Sequence, residues 1–212
     1  MLESLFINTL TAFSDDYKAL CKSHYPTIHN RGMSPAHLSA AFNRRLISLA
    51  KCNGNTISNE LVFHDTIHHI FVYSILIDKQ KVWIIYPQFL NAKTEAKSQM
   101  LSSIKHTIDN LGFEVTDSLA ILCDHWFDRT RSSKALYHWW TGILPAQNDN
   151  YLKQGIHNQL SEDNFAAVLE TNYSMACVNR SIYHPLESNQ QHALLKYFLC
   201  FALFKNKNPA CR

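Results

Sequence analysis

The stretch from Glu60 to Phe89, which after the glutamate reads LVFHDTIHHIFVYSILIDKQKVWIIYPQF, constrains this chain more than any other. Two runs rich in β-branched and aromatic residues meet at Asp78-Lys79-Gln80, a polar tripeptide where the chain must reverse. A first strand near Asn59–His64, a second over His68–Ile77 and a third over Lys81–Phe89 are expected, with Pro87 breaking the far end of the third. Three strands in succession predict an antiparallel meander.

Helical periods flank the meander. Residues 1–21 repeat apolar positions at Leu5, Phe6, Leu10, Phe13, Tyr17 and Leu20. After a Pro/Asn/Gly-marked loop, Ser34-Pro35 supplies an N-cap and a first-turn proline for a second helix, which runs to about Lys51 before CNGN ends it. Thr94–Leu111 reads as a crossover helix stopped by Gly112, and SLAILCDHW at Ser118–Trp126 as a fourth strand. Further on, Arg129–Ser133 reads as irregular, Pro145–Asn150 as a loop, and Ser161-Glu162-Asp163 as the opening of a helix through Leu169. Glu187–Phe204 is expected to be a last helix, apolar on nearly all sides. Its apolar surface points either to a homodimer interface or to deep burial in its own domain. The pattern predicts a single α/β domain over residues 1–212, with a central mixed sheet of meander, crossover helix and fourth strand, flanked by helices, and a helical C-terminal extension.

Composition narrows the class. With 46% hydrophobic residues the 212-residue chain can bury a substantial core. No apolar run reaches the length of a membrane span, and Glu3 stands where a secretory signal carries positive charge, so a cytoplasmic protein is expected. Six cysteines without a CxxC pair fit free buried thiols better than a disulfide framework or a zinc site. The net charge of +3 does not demand a nucleic-acid partner. Its grouping matters more: Arg44, Arg45 and Lys51, then Arg129, Arg131 and Lys134, then Lys196, Lys205, Lys207 and Arg212 without an intervening acid. Such groups either bind phosphate or form solvated surface.

The order of helices, meander, crossover helix and a strand ending in CDHW, over roughly Ala36–Trp126, resembles the core of the PD-(D/E)XK nuclease-like superfamily, the restriction-endonuclease-like fold. In that family a glutamate on the preceding helix, an aspartate in the second-strand region and a D/E-x-K on the third strand bind magnesium and position water. The resemblance implies Glu60 for the glutamate and Asp65 for the aspartate. The third strand departs from the pattern. It ends IIYPQF, with Tyr86 or Pro87 in the place of the acid and Gln88 or Phe89 in the place of the lysine, so the magnesium site it implies is degenerate.

Two polar clusters stand apart from the resemblance. His64 and His68 share one strand face and Asp65 and His69 the other. Imidazole beside carboxylate can bind zinc or move protons, so Asp65, His64 and His68 are candidate metal ligands, with His24, His29, Asp124 or His125 as a further ligand; the same side chains also suit a polar strand face. CDHWFDR at Cys123–Arg129 sits at a strand end, where α/β folds gather ligands, and with Cys123 inward Asp124 points to the other face. A cysteine inside AILC reads as core. Tyr137, His138, Trp139 and Trp140 offer rings for stacking bases or for core packing. No GxGxxG, P-loop, HExxH or GxSxG occurs.

Two functions follow. The first is a non-catalytic or catalytically weakened nuclease-like protein that binds nucleic acid or a protein partner through Arg44, Arg45, Arg129, Arg131, His138 and Trp139, with no cofactor. The alternative is an active metal-dependent nuclease using Mg²⁺ or Mn²⁺ on Glu60, Asp65 and a further carboxylate, Asp78 or Asp124.

Overall fold

The computed structural model describes residues 2–23, 33–89, 92–145, 149–187 and 192–207. Helices α1 (Leu2–Ser23) and α2 (Pro35–Cys52) precede strands β1 (Ile57–Asp65), β2 (Ile70–Ile77) and β3 (Gln80–Tyr86). Helix α3 (Thr94–Asn110) then crosses to β4 (Ser118–Trp126), followed by α4 (Arg131–Thr141), α5 (Asp149–Lys153) and α6 (Phe165–Tyr173), and the described chain closes with β5 (Met175–Tyr183) and β6 (Tyr197–Asn206). The strands form one six-stranded mixed sheet in the order β1-β2-β3-β4-β6-β5.

Local chemistry sets the element boundaries. Ser34 caps α2 by accepting from the His37 amide, with Pro35 in the first turn where its missing N–H costs nothing. β1, β2 and β3 pair antiparallel, and α3 carries the chain across so that β4 runs parallel to β3. Thr130 caps α4, and α4 ends at Gly142, whose positive φ suits a residue without Cβ.

Strand alternation divides the interior in two. On one face Trp83, Ile85, Leu119, Ile121 and Cys123 pack under α3, α4 and α6, which contribute Met100, Ile104, Leu136, Trp139, Trp140 and Phe165. On the other, Val82, Ile84, Tyr86, Ala120 and Leu122 pack under α1 and α2 through Phe6, Leu10, Phe13, Phe42 and Leu46. Among the described residues no helix is long and apolar enough to cross a membrane.

The C-terminal region corrects the expectation of a helix over 187–204. Residues 197–206 form β6, which lies between β4 and β5, with Phe198 and Cys200 in one core and Leu199 and Phe201 in the other. A strand buried on both faces is apolar on every side, the same signature as a buried helix. The dimer interface proposed for that helix falls with it, because its apolar side chains are consumed inside the sheet. The region after Trp126 holds α4, α5 and α6 and also two strands, of which β5 has no counterpart among the expected elements. The second strand begins at Ile70, so His68 and His69 belong to the β1–β2 turn, where His69 has φ of 52°.

Candidate functional site: dispersed carboxylates and a basic cleft

Three of the four carboxylates expected to hold a metal, Asp65, Asp78 and Asp124, are engaged in structural hydrogen bonds. Asp65 closes the β1–β2 turn, accepting from the amides of Ile67 at 2.9 Å and His68 at 3.0 Å while His68 Nδ1 lies 2.7 Å away. Those bonds, the His68 amide first, hold its pKa down at about 2. His64, the neighbouring candidate, stacks on Phe71 with ring centroids 4.0 Å apart. Asp78, in the β2–β3 turn, ties that turn to the residues before β1 by accepting from Asn55 and Thr56, which depress its pKa. It sits at the opposite end of β2 from Asp65, about 25 Å away at the rise of a strand.

Glu60 lies on the exposed edge strand opposite Ser74, on a strand rather than on the helix where the family's glutamate stands. Asp124 is on β4, three strand spacings or about 14 Å from β1. At the third-strand position of the family acid, buried Tyr86 donates its hydroxyl to Asn43 Oδ1. Among the described residues no three His, Cys, Asp or Glu side chains are grouped to hold a metal ion. Four separated carboxylates cannot supply the near-octahedral oxygen shell of Mg²⁺ or Mn²⁺, so the donor set does not fit either ion. His24 and His29 lie outside the described residues.

The four candidate stacking residues divide between core and half-buried positions. Trp139 is fully buried, 4.9 Å from the Phe165 ring, with the Lys97 ammonium 4.6 Å from its own ring centroid. Trp140 is buried as well and donates Nε1 to the Phe201 carbonyl at 3.0 Å. His138 accepts from the Ser161 amide at 3.0 Å. In sequence these rings suit either base stacking or core packing, and α4 packs on the sheet so that Trp139 and Trp140 enter the core while Tyr137 and His138 stay half-buried. Arg129 and Arg131 remain exposed at the start of α4, Arg131 reaching Glu162 at 3.4 Å.

The CDHW strand end splits by alternation. His125 faces the α4 layer, its Nδ1 3.3 Å from the Phe89 carbonyl and its Nε2 2.9 Å from Ser133 Oγ. Burial lowers its pKa to about 4, so it is neutral. With Nδ1–H donating to the carbonyl, Nε2 accepts the Ser133 proton. The pair has the connectivity of a serine nucleophile and its base, yet both side chains are sealed from solvent and no substrate reaches them. Burial likewise raises the Cys123 thiol well above its ordinary range, which makes it inert.

Asp124 faces the other way, toward α1. Its Oδ2 accepts from the Met33 amide at 2.6 Å and from Tyr197 at 2.7 Å, and Tyr17 bonds the Tyr197 hydroxyl in turn. Tyr197 has one proton and Asp124 receives it, so Tyr17 donates to Tyr197. Burial lifts the Asp124 pKa to about 6 against the pull of those two donors.

Tyr17 also lines a cleft of about 460 Å³ between the first two helices. Phe13, Asp16 and Tyr17 come from α1 at spacings of three and four, which puts them on one helical face. Ala41, Arg44, Arg45 and Ser48 come from α2 on the same principle, and Met33 closes one side. Arg45 forks onto Asp16, its Nε 2.6 Å from Oδ2 and its Nη2 on Oδ1. Arg44 is exposed and makes no ion pair or hydrogen bond with the described residues. Helix α2 contains no acid at all. The sequence marks Arg44, Arg45 and Asp124 but not Asp16 or Tyr17, whose apolar-period setting reads only as helix.

No family model matches the sequence, and no curated protein matches it. Among solved structures the chain is similar to a humanized D. rerio TDP2 carrying 14 mutations, with a TM-score of 0.38 and 8% identity over 92% of this chain and 93% of that one. It is also similar to D. rerio TDP2 complexed with a single-strand DNA product, at a TM-score of 0.35 and 9% identity with the same coverage. Scores this low establish neither a shared fold nor a shared activity.

Proposed function

We propose that the protein is a non-catalytic member of the nuclease-like fold class that binds nucleic acid through the α2 face of the α1–α2 cleft. The observation that carries this reading is Arg44: an exposed guanidinium unanswered among the described residues, beside Arg45, on a helix without acids, at the mouth of a concave surface. A solvated basic group needs no cleft, whereas a phosphate contact benefits from one. The restriction-endonuclease-like assignment has support from element order, since α2, the β1–β2–β3 meander, α3 and a parallel β4 follow one another over residues 35–126. The separation of Glu60, Asp65, Asp78 and Asp124 supports binding over turnover.

Fluorescence anisotropy with single- and double-stranded DNA and RNA tests the reading. Binding should weaken with salt, with a log–log slope of roughly −2 to −4 for a few neutralised phosphates. Charge reversal at Arg44 should weaken it more than reversal at Arg129 and Arg131. Cleavage that requires Mg²⁺ or Mn²⁺ and disappears in Asp65→Ala would replace this reading with an enzyme.

A further inference from the structure

We infer that the α1–α2 cleft is a pocket for a nucleoside monophosphate, either free or as the phosphorylated end of a strand. The inference rests on the nucleic-acid reading for its biological setting but on the cleft's own chemistry for its ligand. The volume of about 460 Å³ lies in the range of small-molecule sites and far exceeds a lone phosphate, while a continuous duplex would touch only the mouth.

The polar lining consists mainly of donors. A guanidinium carries five N–H groups in a planar fork. Arg44 spends none on the described residues, and Arg45 spends its Nε and one Nη2 proton on Asp16, so the remainder stay available. Ser48, four residues after Arg44, adds a hydroxyl on the same helical face. Asp16 pairs with Arg45, and Asp15 adds its negative charge near that pair, while Arg44 makes no ion pair with the described residues. A phosphomonoester, with three terminal acceptor oxygens and close to two negative charges at neutral pH, matches this set better than the singly charged diester of an internal linkage.

The rest of the lining is apolar or aromatic. Phe13, Tyr17 and Met33 are nearly fully buried and form the floor of the cleft, with Ala41 half-buried beside them, so a base or sugar would rest on their outer edges without demanding particular hydrogen bonds. Tyr17 is held by Tyr197, itself held by Asp124, so the aromatic wall is braced from behind. The bracing makes Tyr17 a positioning residue and leaves Arg44 as the direct ligand.

Calorimetric titration of the intact protein with adenosine monophosphate, adenosine and inorganic phosphate tests the pocket, alongside oligonucleotides that differ only in a 5′-phosphate or 5′-hydroxyl. Adenosine monophosphate should bind about tenfold or more tightly than either adenosine or phosphate, and Arg44→Ala should remove that advantage. Arg44 is exposed, so the variant should keep the wild-type melting temperature. A 5′-phosphate preference lost in Arg44→Ala identifies the strand end as a ligand; monophosphate binding without that preference identifies the free nucleotide. Equal affinity for adenosine and its monophosphate, or an advantage that survives Arg44→Ala, overturns the inference. If oligonucleotides bind with neither a phosphate preference nor competition by the monophosphate, the pocket fails while nucleic-acid binding stands. Arg44-dependent monophosphate binding without oligonucleotide binding reverses that outcome.

Discussion

Asp124 and His125 are adjacent in sequence and separated by the whole thickness of the sheet, and the two layers they enter are built differently. On the α4 side His125 is neutral, latched to Ser133 and the Phe89 carbonyl, and buried between the Phe89 and Phe198 rings. On the α1–α2 side Asp124 is a buried acid one hydrogen bond from Tyr197 and two from the wall of an open cleft rimmed by arginines. The first layer buries its His–Ser pair in a closed core, whereas the second opens a cleft in which Arg44 has no partner among the described residues. Ligand binding belongs where a charge remains without a protein partner.

On that contrast, the largest effect on stability should come from the closed layer. Trp139→Ala removes a fully buried indole from contact with Phe89 and Phe165 and should cost about 3–5 kcal/mol in urea unfolding. A cost below about 1 kcal/mol would mean that α4 is not part of the core.

The pH dependence of stability reads the two buried groups against each other. Asp124, raised from 3.8 to about 6, contributes stability fully present below its unfolded pKa and lost as pH rises through about 6. His125, lowered from 6.5 to about 4, contributes stability present above 6.5 and lost as pH falls through about 4. Their slopes oppose between about pH 4 and 6. Asp124→Asn can keep both protein bonds, because Met33 and Tyr197 donate to the same oxygen. It should therefore unmask the histidine: stability should climb with pH at roughly 1.4 kcal/mol per unit across that window, and the variant should gain on the order of 2 kcal/mol over wild type near pH 8. Parallel profiles for wild type and Asp124→Asn in calorimetric melting would show that Asp124 is not buried as an acid.

A smaller effect tests the latch. Ser133→Ala leaves His125 Nε2 without its donor in a dry site and should cost about 1–2 kcal/mol, read as a shift of the urea midpoint. No change would mean that another donor reaches the ring. The smallest effect belongs to the open layer, where Arg45→Met breaks the half-exposed pair with Asp16 and should change stability by about 0.5 kcal/mol or less. A large loss there would make the arginines scaffold and remove the distinction between the layers.

Much of the scaffold was legible from local pattern. Ser34-Pro35 announced α2, the apolar runs around Asp78 announced β2 and β3, Gly112 marked the end of α3, and alternation through AILCD placed Asp124 opposite Cys123. Each signal lies within a few residues of its effect. The tertiary structure alone decided that YFLCFALF is a strand: apolar side chains on all sides suit a buried helix and a doubly covered strand equally, and pairing with β4, some eighty residues earlier in the chain, selects between them. It alone turned Trp139 inward and spread the carboxylates along the sheet, and it alone set Asp16 and Tyr17 of α1 against Arg44 and Arg45 of α2. Period along a chain reports which face of an element is apolar, but the partner that covers the face is chosen among segments distant in sequence, and the cleft is made by that choice.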